Sequence, residues 1–143
     1  MTLVDANLLI YAVNSAAPQH PAARTWLDAT LSGTEEVGFA WPVILAFLRI
    51  ASHPGLFPRP LSTVAATAKM NAWLEQPAVR VLDPSTEHWT SFAELLRRTQ
   101  CTGNLIQDAH LAALAIERGA TLCSTDSDFS RFPALKWSNP LAD

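Results

Sequence analysis

The chain has 143 residues, room for one domain with a full hydrophobic core and none for a second. It is 49% hydrophobic with five tryptophans, so it is expected to bury apolar surface against a partner or a second copy as well as inside itself. A net charge of −3 and a pI near 5.7 exclude a broad basic footprint, and any nucleic acid must be gripped locally.

Thr2 to Val4 is a short apolar run ending at Asp5, and the apolar stretch Leu8 to Val13 follows, which predicts a first strand and its helix. Pro21 stands at a first helical position before Ala22 to Leu31, and Gly33 closes that helix. Val37 to Ala40 reads as a second strand, and Pro42 starts the helix Val43 to Ser52. Three prolines and a glycine make His53 to Ser62 a loop, after which Ser62 caps Thr63 to Glu75. Val79 to Leu82 is a third strand. Ser85 is expected to cap a helix running through Arg98, with Trp89, Phe92, Leu95 and Leu96 on one face. Cys101 to Asn104 is a turn into the helix Leu105 to Arg118, with Asn104 as N-cap, Gln107 three residues on and Gly119 just past its end. Thr121 to Thr125 is the fourth strand, Phe129 to Pro133 one tight turn, and Leu135 to Trp137 a last edge strand. Strands and helices alternate from end to end, which predicts an α/β fold with a parallel sheet and helices on both faces.

Cys101 and Cys123 lack metal-ligand spacing, no disulfide framework is expected, and a reducing cytoplasmic setting follows. Asp5 and Asn7 interrupt the place where a signal core would run, and the most apolar stretch, Val43 to Ala51, is too short to cross a bilayer.

Three aspartates stand out against this scaffold. Asp5 ends the first strand, Asp108 lies in the first turn of its helix, and Asp126 follows the fourth strand, with no Lys or Arg close in sequence to neutralise them. From Asp108 to Arg118 the chain travels away by roughly 15 Å, and the strand after it returns by about 17 Å. A parallel sheet therefore brings all three to one edge, the edge where open α/β sheets bind ligands. Each also has a plain structural reading: Asp5 as a helix cap, Asp108 as a dipole-matched first-turn acid, Asp126 as an Asx turn. Gathered carboxylates repel unless they take up protons or cations. Oxygen ligands without nearby His or Cys point to Mg²⁺, with Mn²⁺ able to substitute, and so to a phosphate ester attacked by a Mg²⁺-activated water. Asp128 lies two residues beyond Asp126 and faces either the site or water. Arg49 follows an apolar helix that begins beside the second strand's end, where it could reach a phosphate; Arg97 and Arg98 read as a solvated helix terminus. His20, His53, His88 and His110 are scattered and read as surface or core histidines.

Four segments, in order, resemble the PIN-domain endoribonucleases and within them the VapC toxins of bacterial toxin–antitoxin modules: Leu3 to Tyr11 (LVDANLLIY), Phe47 to Ile50 (FLRI), Gly103 to Ala115 (GNLIQDAHLAALA) and Ser124 to Phe129 (STDSDF). The resemblance covers essentially the whole chain. It implies one PIN-like domain over residues 1–143, a three-layer α/β/α sandwich with a small parallel sheet of four to five strands. It also implies hydrolysis of RNA phosphodiesters, with Asp5 and Asp108 as the main Mg²⁺ ligands and Asp126 as the third acid. Thr125 becomes a polar neighbour that orients water or ligand, and Asn7 a support for the site. The implied partners are an RNA substrate, a small VapB-type antitoxin whose C-terminal segment covers the groove, and a second copy of the chain.

One departure from the family pattern is Ala46, which stands where many members place a Glu on the third helix. This tells against a full two-metal arrangement: either one metal suffices, or Asp128 supplies a ligand, or substrate phosphate and the antitoxin complete the shell, and weak Mg²⁺ binding by the free protein is expected. Ala46 also keeps open a second reading, a PIN-like module that grips RNA or protein with little catalysis. A phosphotransfer receiver is disfavoured, because the chain lacks adjacent acids near the first strand and a Lys after a late strand.

Overall fold

A computed structural model describes residues 1–142. The described residues contain five strands, β1 (Thr2–Val4), β2 (Val37–Ala40), β3 (Val79–Leu82), β4 (Thr121–Cys123) and β5 (Lys136–Ser138), and six α-helices. The helices are α1 (Ala6–Val13), α2 (His20–Leu31), α3 (Trp41–Ala51), α4 (Thr63–Leu74), α5 (His88–Thr99) and α6 (Leu105–Arg118), and a 3₁₀ turn spans Ser127–Arg131.

Every strand pairing is parallel, in the order β3-β2-β1-β4-β5. Helices α1 to α4 pack against one another and α5 packs on α6, so the two groups form the layers on either side of the sheet. This is the expected α/β sandwich, with the sheet at the upper end of the expected strand count. The chain leaves β1 toward β2 and leaves β4 toward β5, on opposite sides. The crevice between the carboxyl ends of β1 and β4 is therefore the topological switch point of the sheet.

The central strands are apolar on both faces because helices cover both: Leu3, Val4, Val37, Phe39 and Leu122 are buried. Gly38 sits where β2 has no room for a side chain. A Cβ there would lie 2.4 Å from Leu82 Cδ1 and 3.2 Å from Leu3 Cδ1, so even alanine would require the Leu82 side chain to move. On one face Phe47 meets Trp73 edge-on at 4.9 Å between ring centres, which fixes α3 on α4.

Several boundaries differ from the sequence reading. Helix α1 begins at Ala6, because Asp5 caps it by accepting the Ala6 N–H at 2.8 Å. Ser85 accepts the Glu87 N–H inside a turn, and α5 starts later, at His88. Asn104 adopts helical angles and makes no side-chain cap, so α6 opens without the expected capping pair, although Gly119 closes it at φ +61° as the glycine signal indicates. Strand β4 stops at Cys123, two residues early, and the tight turn expected over Phe129 to Pro133 is a 3₁₀ segment that begins two residues earlier, Ser127–Arg131.

Candidate metal centre at the sheet switch point

Register builds the site. Leu3 pairs with Leu122 and Val4 with Cys123, and the Asp5 N–H donates to the Cys123 carbonyl at 3.0 Å, so the residue after each strand meets the other. Asp5 therefore stands beside Ser124, which is wholly buried. The Ser124 hydroxyl donates to Asp5 Oδ2 at 2.7 Å and accepts from Asn7 Nδ2 at 3.1 Å and from the Asp126 N–H at 3.0 Å. Both incoming groups can only donate, so the single hydroxyl proton must point at Asp5. One serine thus ties Asp5, Asn7 and Asp126 into a fixed frame.

Asp5 spends one lone pair of each oxygen on Ala6 and Ser124 and keeps the others. Burial raises its carboxyl above the ordinary range; the bonds from Ser124 and Ala6 oppose this and the Asp126 charge adds to it. Asp126 caps the 3₁₀ turn by accepting the Asp128 N–H at 2.9 Å through Oδ1. The plain structural readings of Asp5 and Asp126 thus hold, and of the two only Asp126 lines the cleft described below.

Asp108 differs from both. Half-buried at the start of α6, its carboxylate accepts no hydrogen bond from the protein among the described residues. Burial and the charges of Asp126, Asp5 and Asp128 push its carboxyl up to about 6, and Arg131 opposes them. Asp108, Asp126 and Asp128 each offer an oxygen within 4.8 Å of the others, and among the described residues no other three acidic, His or Cys side chains gather so closely. An all-oxygen set containing a carboxylate without a donor suits a hard divalent cation.

These three acids line a cleft of about 720 Å³ together with Arg49, Gly103, Asn104, Leu105 and Gln107. Asp5 is not in the close group of three acids and does not line the cleft; it is joined to Asp126 through the Ser124 hydroxyl. Arg49 is exposed and lines the cleft at its rim. Ala46 lies one helical turn before Arg49 on the same side of α3, so a Glu there would have faced the same space.

The structure adds three contacts to the sequence reading. The hydroxyl that engages the acids belongs to Ser124, which the sequence reading did not single out, and the neighbouring Thr125 donates its backbone N–H to Asn7 Oδ1 at 3.5 Å. The acids are not free of basic neighbours: Arg131 pairs with Asp128 at 3.1 Å. Two of the histidines read as surface or core residues pack together, because His88 and His110 meet at 2.8 Å and Glu117 holds His88. Ser124 was missed because its role depends on strand register, which the sequence does not state.

A family model describing the PIN domain matches residues 2–135. The chain belongs to the PIN-domain family. It is 46% identical over 142 residues to Ribonuclease VapC37 of Mycobacterium tuberculosis, covering 99% of both chains, and 38% identical over 143 residues to Ribonuclease VapC33 of the same species, covering 100% of both. Among solved structures it is similar to a chain in the crystal structure of VapBC2 from Rickettsia felis bound to a promoter DNA fragment. That match has a TM-score of 0.71 at 20% identity and covers 96% of this chain and 97% of that one. The Mycobacterium tuberculosis sarcin–ricin-loop-cleaving toxin VapC20 matches with a TM-score of 0.66 at 18% identity, over 95% and 99% of the two chains. These structural likenesses identify the fold.

Proposed function

We propose that this chain is a metal-dependent endoribonuclease, a single PIN domain acting as the toxin of a type II toxin–antitoxin module in the cytoplasm. The observation that carries this reading is the donor-free Asp108 carboxylate beside Asp126 and Asp128 at the sheet switch point. The relatives named ribonucleases, similar along their full length, support it. No helix among the described residues is long and apolar enough to cross a membrane.

In this reading Asp5 and Asp108 are the principal ligands of Mg²⁺ or Mn²⁺, Asp126 is the third acid, and Asp128 is available in place of the acid absent at Ala46. Bound there, the cation would activate a water for attack on phosphorus and offset phosphodiester charge. Ser124 holds Asp5 in one orientation and Asn7 holds Ser124. Arg49 at the rim binds a substrate phosphate, and Thr125 is a polar neighbour of the bound ligand. Single-stranded or looped RNA fits best, because its unstacked backbone can enter an open cleft.

Solved relatives of this fold include VapBC and FitAB complexes, which supports a small VapB-type antitoxin as the partner. Trp41, Leu45 and Trp89 expose large apolar surfaces and support association with a second copy.

Ala46 favours the second reading, a module that binds RNA without cutting it. Incubating the protein with total RNA in Mn²⁺ and in EDTA separates the two. Cleavage in Mn²⁺ only, lost in Asp108→Asn, is the expected result; RNA bound and intact under both conditions leaves the binding module.

A further inference from the structure

The 3₁₀ turn places two opposite charges in register. Three residues complete a 3₁₀ turn, so side chains three apart eclipse, and Arg131 stands over Asp128. Its Nε donates to the Asp128 carbonyl oxygen at 3.0 Å and its Nη2 to the Asp128 carboxylate at 3.1 Å, so a single residue holds the guanidinium at two points. The same carboxylate offers an oxygen to the close group with Asp108 and Asp126. Asp128 therefore has two competing claims on it, a guanidinium and a cation.

Solvent decides how firmly the first claim holds. The side chains are 50% exposed for Asp128 and 41% for Arg131, and an ion pair so open is weak and readily exchanged. Guanidinium, in turn, has a better partner in a phosphate, whose oxygens match its planar fork. With no acid at position 46, Asp128 is the carboxylate whose release would most change what the cleft offers a cation.

We propose that Arg131 is the resting counter-ion of the acidic cleft: it occupies Asp128 while the cleft is empty of substrate and yields it to a divalent cation when an RNA phosphate takes over the guanidinium. This rests on the metal-dependent reading above and adds the residue that couples substrate to metal. Coupling of this kind is reciprocal, so substrate and cation each tighten the other.

The test is Mn²⁺ titration of the full chain by calorimetry and electron paramagnetic resonance, at low ionic strength and without RNA. Replacing Arg131→Gln should tighten Mn²⁺ by about two- to fivefold, the range expected when a solvent-exposed pair competes. Arg131→Lys, which keeps the charge and loses the fork, should tighten it less. In an Asp128→Asn background Arg131→Gln should have no effect, and Arg49→Gln, which removes a charge from the same cleft, should do less than Arg131→Gln. A short single-stranded oligodeoxynucleotide should tighten Mn²⁺ in the parent and lose most of that effect in Arg131→Gln. If the parent binds Mn²⁺ through Asp108 but Arg131→Gln leaves the affinity unchanged, or its effect persists with Asn at 128, Arg131 acts only as diffuse charge and this inference falls alone. If neither parent nor variant binds Mn²⁺, this inference and the metal-dependent reading fall together.

Discussion

Helix α6 carries two clusters of titratable side chains that end in opposite ways. Near its start Asp108 gathers with Asp126 and Asp128 and feels the charge of Asp5, with the arginines Arg131 and Arg49 at the cleft's edge. On another side of the same helix His110 meets His88 at 2.8 Å, and His88 Nδ1 lies 3.1 Å from both oxygens of Glu117. Phe92 stacks on His88 at 5.7 Å with the rings nearly parallel, closing the second cluster from above. Donors and acceptors there match one another: the Glu117 carboxylate accepts from His88 Nδ1–H, and in the neutral pair His88 Nε2 accepts from His110 Nδ1–H. Every buried polar side-chain atom of that network has a partner within the protein. The acidic one closes only with something from outside, and this difference separates a structural cluster from a candidate site.

The largest effect is expected at the acidic end. Asp108→Asn should lower RNA cleavage by about a thousandfold or more, since a lost cation removes several kcal/mol of charge stabilisation. The same variant should melt no lower than the parent at neutral pH, because it removes a repelled carboxylate. Gel assays and thermal melts together check this; a large drop in melting temperature would place Asp108 among the structural groups.

Ser124→Ala should cost about ten- to a hundredfold in activity or metal affinity, the range for residues that orient ligands from behind. It should also lower stability by about 1–3 kcal/mol, since two donors lose a buried acceptor. Ser124→Thr, which keeps the hydroxyl, should recover most of the activity. An inert Ser124→Ala would mean that Asp5 holds its orientation without help.

Breaking the other cluster should give the reverse profile. Glu117→Gln should lower stability by about 1–3 kcal/mol through the half-lost pairing of His88, leaving cleavage within about twofold of the parent. A loss of activity without a loss of stability would join the two clusters functionally.

The smallest effect is a pH dependence with a definite sign. Asp108 ionises in the folded chain at about 6 against an ordinary value of 3.8. Between these values the folded state holds more protons than the unfolded one, so without divalent cation this group makes stability fall as pH rises from 3.8 through about 6 and level off above. Mg²⁺ should raise the melting temperature at pH 7 and lose that effect below about 6, as protons compete for the same oxygens. Melts at fixed ionic strength, with and without Mg²⁺, check this, and an unchanged increment across the range would contradict it.

Much of this was legible from residue order. Alternating strand and helix signals fix a parallel sheet, and the positions of Asp5, Asp108 and Asp126 relative to strand and helix ends suffice to bring them to one sheet edge. What stayed hidden depends on contacts between distant segments. Ser124 becomes the hub because β1 and β4 pair in one register, and a slip of one residue would have turned its hydroxyl away. His88 and His110 are 22 residues apart on two helices whose packing brings the rings together. Arg131 was near enough in sequence to be noticed, but its reach depends on a 3₁₀ turn where a tight turn was expected.

Ser124 is also tied along its backbone to the outermost strand: its N–H donates to the Ser138 carbonyl at 3.0 Å, and its carbonyl accepts from Trp137 Nε1 at 3.0 Å. Edge strands are the parts of a sheet that fray first. Loosening of β5 would therefore disarm the cleft well before global denaturation, and amide exchange should reveal Ser124 opening in step with Trp137 rather than with the interior of β1.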